Sequence, residues 1–151
     1  MMLAVHATAG LLIGNQLNNP FLAFILAFVS HFFLDMIPHG DSNLFDEYKN
    51  EKLKNIKKIT GVISFDLLVL TSVFTSTYLY NLFSPTFSIA AAVAGSVLPD
   101  ILVGCHEIYP KLFRRFYQFH FWAHDMFDYR FSYAKGIAFQ IVILAILIIT
   151  L

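Results

Sequence analysis

Charge is what this chain has little of. Only 13% of its 151 residues are Asp, Glu, Lys or Arg, against about 25% in soluble domains. Ten basic and ten acidic residues cancel, so the chain offers no net field to a polyanion and nucleic acid is not an expected partner. Cysteine occurs once, at Cys105, which excludes an internal disulfide. The start, Met1-Met2-Leu3-Ala4-Val5-His6, lacks the basic stretch of a secretory signal, so no cleaved leader is expected. Heptads, low-complexity tracts and tandem repeats are missing too. What fills the chain instead is apolar: 58% hydrophobic residues, 17 of them Phe, with a mean hydropathy of +0.66. Such a composition predicts an all-α, polytopic membrane bundle, one integral membrane domain over residues 1–151, with the lipid bilayer as its first partner.

Five apolar runs are expected to be spans: 3–17, 21–37, 61–80, 87–103 and 136–151. In the first, Gly10 and Gly14 have the GxxxG spacing that lets helices approach closely in lipid. Pro20 suits the first turn of the second, and Asn15 to Pro20 makes the two a hairpin. All Lys and Arg fall in two polar segments, from Lys49 to Lys58 and from Lys111 to Lys135. With five spans both segments lie on one side of the membrane, and the positive-inside rule makes that side cytoplasmic.

The stretch Ser30-His31-Phe32-Phe33-Leu34-Asp35-Met36-Ile37-Pro38-His39-Gly40-Asp41 concentrates the chemistry. His31 and Asp35, at i and i+4, share one helix face. Pro38 ends the helix and Gly40 permits a sharp turn, so His39 and Asp41 fold back toward the same point. Imidazole and carboxylate together suit Zn, Mn or Fe; the alternative is a buried hydrogen-bonded pair.

The expected topology sets every other unusual polar residue at the same level. His6 starts the first helix. Asp66 lies about one turn inside the third and Asp100 ends the fourth, and a carboxylate inside an apolar span is a functional candidate by default. His120 and His124 are again i, i+4, either a zinc-binding pair or part of an aromatic helix lying in the interface. His106 and Glu107 are weaker candidates, with His106 expected in a loop, and Asp125 and Asp128 are expected to be solvated. The metal-ligand set predicted here is His6, His31, Asp35, His39, Asp66, Asp100, His120 and His124, with Asp41 or Asp66 as catalytic base. More than four candidates leaves room for two or three divalent ions, Zn before Mn or Fe.

His6-xxx-Gly10, Ser30-His31-xxx-Asp35-xx-Pro38 and Gly95-Ser96-Val97-Leu98-Pro99-Asp100 resemble motifs of small bacterial and archaeal membrane-bound metal-dependent hydrolases, a family distantly similar in fold to zinc-dependent phospholipase C. The resemblance marks His6, His31, Asp35 and Asp100 as metal ligands. Ile101-Leu102-Val103 stands where that family's LPDxDH motif continues, and the two helix-end motifs come in the reverse order. The function expected is hydrolysis of a phosphoester or phospholipid-like substrate at the cytoplasmic interface, with Lys57, Lys58, Arg114 and Arg115 drawing in the anionic phosphate. A proton or metal-ion transporter, or a metal-stabilised membrane protein without turnover, are the alternatives.

Overall fold

The computed structural model describes residues 1–37, 39, 56–127 and 132–151. Among these residues are six helices and no strand: α1 Leu3–Gln16, α2 Pro20–Asp35, α3 Ile56–Leu79, α4 Phe87–Ile108, α5 Arg114–His124 and α6 Tyr133–Ile149.

Local chemistry sets several of the boundaries. The Asn19 side chain accepts hydrogen bonds from the amides of Phe21 and Leu22, and Pro20 fills the first helical position, so α2 starts there. Thr86 caps α4 by accepting from the Ile89 amide at 3.2 Å. α1 has no cap of its own, because Met2 offers no polar side chain. Its first amides are met from other helices: Leu3 and Ala4 N–H donate to the Asp66 carboxylate of α3 at 2.6 and 3.0 Å. Met2 N–H donates to Gln140 Oε1 of α6 at 2.6 Å.

α1 is the hub, packed against α2, α3, α4 and α6, while α2 and α4 lie broadly against each other and α5 closes over one end of that pair. Glycine makes the close approach possible. A Cβ at Gly14 would lie 2.5 Å from the Ile89 Cα, and one at Gly10 would lie 2.6 Å from Ser96 Oγ. The expected GxxxG face is therefore used, and it is used against α4.

Five spans are not what the helices form. Among the described residues, only Thr60–Leu79 of α3 and the whole of α4 are long and apolar enough to cross a membrane. α1, with 14 residues, is about 21 Å long, short of a hydrocarbon layer of about 30 Å. It is also the most enclosed element, with Ala4 through Leu11 all buried. Pro20–Asp35 and Ala134–Ile149 are apolar but shorter than a span. Hydropathy misread α1 because a helix inside a small bundle and a helix facing lipid need the same apolar residues.

The fourth run differs as well. α4 continues through Pro99 to Ile108, so Asp100 sits about two turns before the helix end. His106 is consequently helical, not in a loop. An elbow then turns the chain into α5, with Phe113 in the left-handed region at φ 53°. Two polar contacts fasten it: His106 Nδ1–H donates to the Leu112 carbonyl at 2.6 Å, and the Tyr117 hydroxyl donates to Glu107 at 2.9 Å.

Candidate metal centre

Four elements converge on Asp35, the last residue of α2, whose side chain is 2% exposed. A carboxylate removed from water must be paired or bind a cation. One oxygen, Oδ2, lies 3.2 Å from His31 Nε2 and 3.4 Å from His120 Nε2. The other, Oδ1, lies 3.0 Å from His6 Nε2 and 2.8 Å from the nitrogen of Met1.

His31, Asp35, Asp100 and His120 each place one ligand atom within 4.8 Å of the other three. Two imidazoles and two carboxylates are a set that Zn, Mn and Fe accept. His31 tests whether a cation fits. Its Nδ1 lies 2.8 Å from the Ser96 carbonyl, which can only accept, so Nδ1 carries the hydrogen. A neutral His31 then turns the lone pair of Nε2 toward Asp35 at 3.2 Å and Asp100 at 3.7 Å. That nitrogen is buried and makes no hydrogen bond. A lone pair facing two carboxylates is repulsive, so Nε2 meets either a second proton, which makes an ion pair with Asp35, or a metal cation standing between them. The Ser96 contact is also the outer-shell bond that orients a ligating histidine.

His120 comes from the inward face of α5 and is 5% exposed. Burial pushes its pKa down to about 4 despite the nearby Asp35 and Asp100 carboxylates, so the ring is neutral at pH 7, as a metal ligand must be. Phe32 and Phe116 line its inner side, with ring centroids 5.9 and 6.4 Å away. Asp100, 31% exposed, is the ligand nearest the outside.

The remaining expected site residues divide. His6 is fully buried, stacks on His31 with ring centroids 4.0 Å apart, and reaches Asp35, but it stands outside the four-ligand group. His39 and His124 lie beside each other, Nε2 to Nε2 3.1 Å. Asp66 is placed elsewhere: its carboxylate accepts from the two α1 amides, which answers the cost of its burial without a metal. Asp41 lies outside the described residues, as does Asp128; the side chains of Lys57 and Lys58 do too. Glu107 belongs to the elbow, and Asp125, 68% exposed, accepts from His124.

Three groups carried no signal in the sequence. The Ser96 carbonyl and the Met1 nitrogen are main-chain atoms, invisible to a search by residue type. Gln140 reads as a stray polar residue in an apolar run, yet it is fully buried and joins the Met2 amide to the His39 carbonyl, the latter at 2.9 Å. Comparison with family models, with curated proteins and with solved structures finds no match to this chain. The chemistry of the site therefore has to be argued from its own residues.

Proposed function

We propose that this chain is a membrane-embedded metal-dependent hydrolase acting on a phosphoester, of the kind found in phospholipid head groups. Its kinship with the membrane-bound metal-dependent hydrolases is part of the same proposal. The observation that carries it is the buried His31 Nε2, turned by the Ser96 carbonyl to face both Asp35 and Asp100 beside His120. His31, Asp35, Asp100 and His120 would hold the ion, Zn first and Mn or Fe next. A divalent cation so placed supplies a Lewis acid for a phosphoryl oxygen and lowers the pKa of water toward neutrality.

The chain's own groups do the rest. Phe32 and Phe116 keep water from the inner side of the ligands, which strengthens every electrostatic contact there. The exposed cations Lys111, Arg114 and Arg115 stand at the start of α5, the helix that carries His120, and attract an anionic group toward the site. Exposed Phe119 and Trp122 on the same helix suit the interfacial layer of a bilayer. The positive-inside rule puts this end of the bundle on the cytoplasmic side.

The test uses protein purified without chelator. Elemental analysis should find bound Zn, Mn or Fe, and His31→Ala and Asp35→Asn should each remove most of it. Hydrolysis of a chromogenic phosphodiester, or of phosphatidylglycerol in mixed micelles, should vanish with a chelator and return with the metal. A metal-loaded protein that cleaves neither substrate, or that instead carries the ion across proteoliposomes, overturns the hydrolase reading.

A further inference from the structure

The elbow between α4 and α5 exposes charge and apolar bulk together. Lys111, Arg114 and Arg115 are exposed there, and among the described residues no carboxylate forms an ion pair with any of them. Glu107, the nearest carboxylate in the sequence, accepts instead from the Tyr117 hydroxyl. Tyr109, Leu112 and Phe113, from the same run, are exposed as well. Hydrogen bonds fix the main chain that presents them: the Leu112 amide donates to the Tyr109 carbonyl at 2.8 Å, and the Leu112 carbonyl accepts from His106.

Phe113 is the telling residue. Its backbone stands at φ 53° and ψ 23°, a left-handed conformation that a Cβ makes costly and that Gly or Asn adopts more easily. Burial of the ring would offset that cost, yet Phe113 is 46% exposed. What rewards a large apolar side chain here lies outside the described residues.

The place of the elbow in the fold identifies the partner. α4, with 22 residues, is about 33 Å long, which matches a hydrocarbon layer of about 30 Å. With α4 across a bilayer, the chain leaves the hydrocarbon at Ile108 and the elbow stands in the headgroup layer. Aromatic rings suit that layer, and cations meet phosphate there. We propose that the elbow docks on the leaflet as a site for anionic phospholipid headgroups. Lys111, Arg114 and Arg115 meet the phosphates, while Tyr109, Leu112 and Phe113 sit at the edge of the acyl chains. The inference rests on the membrane reading of α4 and names the lipid that the proposed hydrolase meets, an anionic phospholipid ahead of a zwitterionic one. It does not depend on the metal.

Trp122 is the chain's only tryptophan and is exposed on α5, so tryptophan fluorescence reports on this helix alone. The full-length protein is placed in nanodiscs of phosphatidylcholine and phosphatidylglycerol, with brominated, quenching chains on one lipid or the other. At equal mole fractions, brominated phosphatidylglycerol should quench Trp122 more, with a preference of at least about fivefold, the effect of one cation at an anionic surface. High salt should weaken that preference. Lys111→Gln, Arg114→Gln and Arg115→Gln combined should leave the two lipids quenching equally. Phe113→Gly, whose backbone suits the position, should fold as wild type does and be quenched less by both lipids. Equal quenching in the wild type overturns the headgroup site, and no quenching by either lipid means that α5 faces water or a protein, which overturns it too. A preference that survives in the triple variant overturns the assignment to these cations. The series is run with and without a chelator. A preference unchanged by the chelator supports the elbow whatever becomes of the hydrolase reading, whereas one lost with the chelator assigns the lipid to the metal and overturns the elbow's role.

Discussion

α1 and α3 are both apolar helices, and the sequence treats them alike, yet they live in opposite surroundings. α1 is enclosed by four other helices. In the Thr60–Leu79 stretch of α3 only 6% is buried, and Phe65, Leu67 and Leu68 are exposed. The residues differ in size more than in polarity. α1 packs mostly small residues, Ala, Gly and Thr, beside Val5, His6 and Leu11, while α3 carries Ile, Leu, Val and Phe. Where lipid is as apolar as Leu, hydrophobicity cannot sort inside from outside, and close packing of small residues does the sorting.

The comparison breaks most easily at Gly14. Replacing it by Leu puts a side chain where even a Cβ meets the Ile89 backbone at 2.5 Å. Overpacking against rigid backbone costs about 1–3 kcal/mol or more, so thermal unfolding in detergent should show a large loss of stability or no folded protein. Leu68→Ala on α3, 62% exposed, should stay within about 0.5 kcal/mol of wild type. Similar losses from both would erase the distinction between the two helices.

Asp66 sharpens it, because this carboxylate is where α3 grips α1. Asp66→Leu removes acceptors for two amides at once and should cost about 2–3 kcal/mol, as charged hydrogen bonds do. Asp66→Asn keeps one acceptor and should bind metal as wild type does, whereas Asp100→Asn should bind it weakly. Equal metal loss in Asp66→Asn and Asp100→Asn would restore Asp66 to the site.

The smallest effect belongs to the elbow, which fastens α5 by side chains where α3 is held through helix amides. Burial and then the Glu107 carboxylate push the Tyr117 phenol up to about 12 from an ordinary value of 10.0. The folded protein thus holds this proton more tightly than the unfolded chain. Its contribution is complete below pH 10 and is lost as pH rises toward 12, and because the ring is only half-buried and screened by solvent the loss should be slight. Tyr117→Phe should flatten that alkaline decline in a pH series of melting temperatures.

Helices and ligand types were legible from local chemistry. Asn19-Pro20 announces the start of α2, and the spacing of His31 and Asp35 announces a shared face. Asp100 and His120 were also readable, since polar groups in apolar surroundings need a reason. Asp66 satisfied the same rule for another reason: hydrogen bonding from the α1 amides offsets the cost of burial as a metal would, and residue identity cannot separate the two. Pro99 looked like a helix end because proline usually is one, but packing against α2 carries α4 through it. His106 was misplaced for the same reason.

The contact between His31 and the Ser96 carbonyl also sets an order of events during synthesis. His6, His31 and Asp35 leave the ribosome together on the α1–α2 hairpin, but the carbonyl that fixes the His31 tautomer comes 65 residues later. Asp100 and His120 follow it. Until then the hairpin carries a carboxylate with only part of its final company. Completion of the site therefore waits for α4 and α5, and any ion that needs all four ligands can enter only after they are in place.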